Sequence, residues 1–247
     1  MTAYYNEIDP YAAQWLRNLI SKNLIAPGDV DERSIVDVQP DDLDGYTQCH
    51  FFAGIGGWSY ALRLAGWPDD REIWTGSCPC QPFSIAGKHA GTNDERHLWP
   101  SFHSLIAASR PPVVMGEQVA TAVGKGWLDE VHQDMDRLGY RFGAAVLPAE
   151  SVGAPHARER IYFVSDARGT DATGRDEDRR RLTVTSEVGR NGTYASWQGG
   201  PSRHFSLADG VPSRVAKSCA GGFGNAIVPQ LGAEVIRSYM DVTGSAS

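Results

Sequence analysis

Apolar residues recur at helical spacing near the start of the chain, at Tyr11, Ala12, Trp15, Leu16, Leu19 and Ile20. This predicts a helix over Asp9 to Asn23, with Pro10 in its first turn and Asp9 as its cap. Short apolar runs predict strands at Ile35 to Val38, Cys49 to Phe52 and Ile73 to Thr75. The second of these leads into a glycine turn, FFAGIGG (Phe51 to Gly57), and then into a helix carrying Trp58, Leu62, Leu64 and Ala65 that stops at Gly66. Further along, a helix is expected over Ser101 to Ser109, and a strand with its exit loop over Pro111 to Val119. A helix over Leu128 to Leu138, strands over Gly143 to Pro148 and Arg160 to Ser165, and a last helix over Gln230 to Met240 complete the pattern. Strands alternating with helices predict an α/β fold with a mainly parallel sheet, and strand, glycine turn, helix is the layout of a nucleotide-binding unit.

From Asp166 to about Gly200 the pattern breaks into polar, charged and Gly-rich sequence with little to build a core. This gives three segments: 1–165, a polar excursion at 166–205, and a return at 206–247. The net charge of −7 argues against a protein that coats nucleic acid without selectivity, although a local basic cleft remains compatible with it. The four cysteines, two close together and two isolated, do not form a secreted disulfide framework. No apolar run approaches the ~20 residues of a membrane span, and the N-terminus does not read as a leader, so a reducing, cytoplasmic setting is expected.

Candidate chemistry clusters at the ends of predicted strands. Gly54, Gly56 and Gly57 allow a tight turn and close approach to a ligand, at a spacing that differs from the dinucleotide Gly-x-Gly-x-x-Gly. Cys80 follows Pro79 and precedes Gln81, Pro82, Phe83 and Ser84, a stiff loop at a strand end where a thiolate can serve as nucleophile. A buried thiol is the usual alternative for free cysteine, while a zinc site lacks a second ligand pair at the right spacing. Glu117 follows an apolar run and is read as a loop carboxylate at the sheet edge. Arg158 and Arg160 alternate, so both should face one side.

Taken in order, FAGIGG, PCQPFS, the Glu117 segment, ARERIYFV and GNAIVP resemble the cytosine-C5 DNA methyltransferases. The resemblance implies a Rossmann-like S-adenosylmethionine-dependent methyltransferase sheet flanked by helices, with the polar excursion as a small target-recognition region. It implies that Cys80 is the thiolate that attacks C6 of a flipped cytosine, that Glu117 holds N3 and the amino group, and that Arg158 and Arg160 orient base and loop. It assigns Phe52, Ile55, Gly57, Glu7, Ile8, Asp29, Pro79, Leu98 and Asn225 to S-adenosylmethionine, and Gln81, Ser84, Arg179, Arg180 and Arg181 to nucleic acid. Duplex DNA is the implied substrate, with RNA or tRNA as the alternative within the same chemistry and a non-catalytic relative as the alternative outside it. The implied enzyme needs no metal and no membrane, and works as a monomer or with a partner protein that helps a short recognition region.

Three departures from the family pattern stand out: Gln118 replaces Asn after the acidic residue, His156 replaces Gln before Arg158, and the motif order is changed. Only about twenty residues separate Gly57 from Cys80, too few for the two βα units the family places there. NEIDPYA, with Glu7, and PGDVDERSIVDV, with Asp29, Asp31 and Asp37 as rival acidic residues, resemble the missing units. A circular permutation is therefore expected, in which the chain starts at the second strand, runs to the third and returns to the first at Phe51.

Overall fold

The computed structural model describes residues 2–79, 98–120, 126–154, 158–167 and 227–244. Among these, seven strands form one sheet in the order β2-β1-β3-β4-β5-β7-β6. The strands are β1 (Thr2–Asn6), β2 (Gly28–Asp31), β3 (Tyr46–Phe51), β4 (Ile73–Gly76), β5 (Val113–Val119), β6 (Arg141–Pro148) and β7 (Glu159–Asp166). β1 to β5 are mutually parallel, and β7 runs antiparallel between β5 and β6. Numbered from the glycine-turn strand β3, the order becomes 3-2-1-4-5-7-6, which is the doubly wound order with an antiparallel hairpin at one edge.

Helices cover both faces, as parallel strands require. On one face lie α3 (Trp99–Ser109) and α4 (Trp127–Arg137), whose Trp99, Phe102, Ile106, Trp127 and Val131 pack on Phe51, Trp74, Val114 and Phe163. On the other face lie α1 (Pro10–Ser21), α2 (Gly57–Ala65) and a C-terminal helix, here α5 (Pro229–Val242). The α2 and α5 residues Trp58, Leu62, Leu231 and Ile236 share a core with Ile73, Met115, Tyr162 and Val164, while Leu16 of α1 packs with Ala3 and Tyr5. Asp9 caps α1 by accepting from the amides of Tyr11 and Ala12, as expected.

Two sequence readings are corrected. Ile35 to Val38 is not a strand but a 3-10 turn, Ile35–Asp37. Ile35 and Val38, three apart, are buried while Val36 points to solvent, so the period is three and not two. Glu117 is not on an exit loop: β5 continues through Glu117 and Gln118 to Val119, because β7 pairs with it over its whole length. Buried hydrogen-bonded strand positions keep polar side chains only when these find partners, and both residues do.

Candidate active site

Register places one residue of each strand in a row across the sheet. Asp31 stands beside Asn6, Asn6 beside Phe51, Phe51 beside Gly76, and Gly76 beside Gly116. The next residues of β1, β3, β4 and β5 are Glu7, Phe52, Ser77 and Glu117. All lie at the carboxyl edge, and the switch in winding direction falls between β3 and β4, where open α/β sheets take their ligands.

The glycine turn is built by strain and by one carboxylate. Phe52 adopts a left-handed conformation at φ 52°, unusual for a bulky residue, and packs edge-on against Phe102. Gly54 and Gly56 are also left-handed, at φ 55° and 82°. Glu7 holds this turn: one carboxylate oxygen accepts from the Gly54 amide at 2.7 Å and the other from the Asp9 amide at 2.9 Å. A side chain at Gly57 would stand 2.8 Å from Cγ1 of Ile227, so its absence lets α2 approach the segment that leads into α5. Beside Glu7, Ile8 is exposed, while Ile55 and Leu98 are half-buried and Pro79 is exposed. Of the rival acidic residues, Asp31 is tied to Arg33 and accepts from the Tyr4 hydroxyl, Asp29 is exposed and accepts from the Tyr46 hydroxyl, and Asp37 lies in the 3-10 turn.

Glu117 is buried and ion-paired, its Oε1 lying 2.8 Å from Nε of Arg160. The pairing follows from register: Glu117 is opposite Tyr162 and Val119 opposite Arg160, so Glu117 and Arg160 are diagonal neighbours on one face. Arg158, two residues earlier, is half-buried in the same field. Burial pushes the Glu117 carboxyl above the ordinary carboxylate range, opposed by Arg160, Arg158 and a hydrogen bond from Ser77. Burial, together with the neighbouring Arg160, lowers the Arg158 guanidinium, and Glu117 partly offsets this. One buried carboxylate with two cations around it can hold a polar planar group that gains charge.

The loop that carries Cys80 leaves the sheet beside this carboxylate. Gln118 donates from Nε2 to the Cys78 carbonyl at 2.9 Å, and its Oε1 accepts from the Val119 amide. The longer amide thus anchors the chain two residues before Cys80. Burial raises the thiols of Cys49 and Cys78 well above the usual thiol range, which keeps both protonated and unreactive. Cys80, Gln81, Ser84, Arg179, Arg180, Arg181 and Asn225 lie outside the described residues, as does nearly all of the polar excursion.

The structure brings the sequence candidates Glu7, Phe52, Glu117 and Arg160 to one edge of the sheet, where it also sets Ser77 and the anchoring contact of Gln118, neither of which the sequence singled out. A serine between a glycine and a cysteine carries no signal of its own; only register shows it next to Glu117. Among the described residues no cluster of three metal-ligating side chains occurs, and no helix is long and apolar enough to cross a membrane.

The chain is 32% identical over 96 residues to the Type II methyltransferase M.AplI of Arthrospira platensis, covering 38% of this chain and 28% of that protein. It is 29% identical over 169 residues to the Type II methyltransferase M.HhaI of Haemophilus parahaemolyticus, covering 53% and 52%. It thus spans about half or less of the length of these relatives. A solved structure of a triple mutant of Spodoptera frugiperda DNMT2 matches with a TM-score of 0.47 at 16% identity, over 70% of this chain and 44% of that one. The family model for C-5 cytosine-specific DNA methylases matches residues 65–195, just over half of the chain and the stretch that holds Cys80, Glu117, Arg158 and Arg160. The chain belongs to the C-5 cytosine-specific DNA methylase family.

Proposed function

We propose that this protein transfers a methyl group from S-adenosylmethionine to C5 of a cytosine in duplex DNA. The observation that carries the reading is the single row at the carboxyl edge. It sets Glu7 and the glycine turn at one end, the Glu117–Arg160 pair at the other, and the start of the Cys80 loop between them.

The residues present fit the cofactor. Among the described residues, a side chain at Gly54 would meet nothing within 4 Å, which leaves room above the turn. Gly56 caps α2 without a side chain, which leaves the first amides of the helix to bind a carboxylate such as that of the methionine moiety. Glu7 would accept from the ribose hydroxyls, Phe52, Ile55 and Gly57 would line the methionine end, Pro79 the methyl region, and Ile8, Leu98 and Asn225 would make further contacts. Asp29, exposed and in the Gly-Asp-Val setting that resembles the family segment, would take the adenine amino group. The bound cofactor supplies an electrophilic methyl group.

Cytosine C5 is a poor nucleophile. Addition of the Cys80 thiolate to C6 makes C5 enamine-like, so that it takes the methyl group; loss of the C5 proton then expels the thiolate. Glu117, with its raised carboxyl, bonds N3 and the amino group and favours the protonated ring as the adduct forms. Arg160 fixes Glu117, and Arg158 faces the base. The target must leave the base stack to reach this edge, with Gln81 and Ser84 contacting the opened strand and Arg179, Arg180 and Arg181 gripping phosphates from the 166–205 region. The renumbered strand order 3-2-1-4-5-7-6 supports a chain permuted relative to its family.

Transfer of labelled methyl groups tests the reading. Duplex DNA is expected to accept label from the wild type and none from Cys80→Ala. Label entering tRNA and not duplex DNA would overturn the choice of substrate, and equal labelling by Cys80→Ala would overturn the chemistry.

A further inference from the structure

Ser77 is the first residue after β4 and stands in the same row as Glu117. Nε1 of Trp58 donates to Oγ of Ser77 at 3.1 Å. An indole N–H can only donate, so this contact uses the hydroxyl oxygen as acceptor and leaves the hydroxyl hydrogen for another neighbour. Register sets the Glu117 carboxylate at the adjacent strand position on the same face, with Arg160 on its other side. Parity along the strands explains the meeting: Ser77 shares a face of β4 with Ile73 and Thr75, and Glu117 shares a face of β5 with Val113 and Met115, both on the side covered by α2.

We infer that Ser77 is a positioning residue for Glu117, an oriented hydroxyl that links the indole of Trp58, at the start of the glycine-turn helix, to the carboxylate that receives the base. The inference rests on the reading of Glu117 given above. Its chemical content is directional. With Trp58 donating to its oxygen, Ser77 gives its hydrogen to the carboxylate, which is held between a hydroxyl and a guanidinium instead of turning freely. The link also joins the cofactor half of the edge to the base half, since Trp58 is the second residue of α2.

The Glu117 carboxyl can be titrated directly by carbon-13 resonance in protein labelled at the glutamate side-chain carboxyl, with the signal assigned by its loss in Glu117→Gln. Removing a donor to the charged form moves the midpoint upward, so Ser77→Ala is expected to titrate at higher pH than wild type. Ser77→Thr, which keeps the hydroxyl, is expected to retain the wild-type midpoint. Trp58→Phe, which keeps Ser77 but releases its orientation, is expected to move the midpoint up by less. In turnover, Ser77→Ala is expected to lose about tenfold in kcat with the KM for S-adenosylmethionine unchanged, the scale of one hydrogen bond to a charged group. A wild-type midpoint in Ser77→Ala overturns the inference; if that variant fails to fold, an unchanged midpoint in Trp58→Phe does so. Because the midpoint is read without turnover, a wild type that fails to methylate DNA would overturn the functional reading and not this contact.

Discussion

Two buried carboxylates lie on the same antiparallel pair of strands, at opposite ends. Glu117 on β5 meets Arg160 at 2.8 Å, and Asp166 at the end of β7 meets Arg141 at 3.1 Å. Both are acid–arginine pairs sunk into the sheet, yet their surroundings differ. Asp166 also accepts from the Tyr239 hydroxyl at 2.8 Å, which ties α5 to the amino end of the parallel strands, and it is wholly buried. Glu117 stands at the carboxyl edge, where strands end in a glycine turn and in the Cys80 loop. The chemistry of a pair does not make a site. Its place relative to the ends of the parallel strands does, because only there can a substrate reach the carboxylate.

The comparison can be broken by exchanging the consequences. Glu117→Gln is expected to lower methyl transfer by roughly 10²–10⁴-fold, the scale of a positioned acid–base group, while the melting curve moves little. Asp166→Ala is expected to do the reverse, costing about 3–5 kcal/mol of stability because it leaves Arg141 facing a buried gap, with the rate per folded molecule unchanged. Denaturant titration beside a methyl-transfer assay reads both; a stable but inactive Asp166→Ala would erase the distinction.

Acid sharpens the same division. His50 is fully buried between Thr75 and Gln48 and stacked on Tyr5, and burial pushes its imidazole down to about 3. Because Gln48 donates its amide N–H to the Pro68 carbonyl, its oxygen faces Nε2, which makes Nε2 the donor and Nδ1 the acceptor from Thr75. A base depressed in the fold binds its proton first in the unfolded chain, so stability is full above pH ~6.5 and falls as pH drops toward 3. The loss over that range is of order 4 kcal/mol, and His50→Gln is expected to flatten it in equilibrium unfolding measured between pH 7 and 4. Last and smallest, Tyr239→Phe removes one hydrogen bond to Asp166 and is expected to cost about 1–2 kcal/mol without touching methyl transfer.

Helices were the more legible part of this chain. The Pro10 and Asp9 signals, the glycine turn and the stop at Gly66 all lie where local chemistry dictates them. The first strand, Thr2–Asn6, has no alternation because both of its faces are covered, and only its likeness to a family segment exposed it. Ile35 to Val38 misled because three apolar residues in four fit a strand as well as a 3-10 turn. Glu117 and Arg160 were legible as residue types, but their pairing is a product of β5–β7 register, a long-range property absent from either segment. Ser77 was illegible for the same reason.

The central claim is that a thiolate on Cys80 attacks cytosine at this edge. Duplex DNA carrying 5-fluorocytosine blocks loss of the C5 substituent and so traps the adduct. With S-adenosylmethionine present, the wild type is expected to form a denaturation-resistant protein–DNA complex, and Cys80→Ala none. An undiminished complex with Cys80→Ala, or none with folded wild type on DNA containing its recognition sequence, would contradict the account.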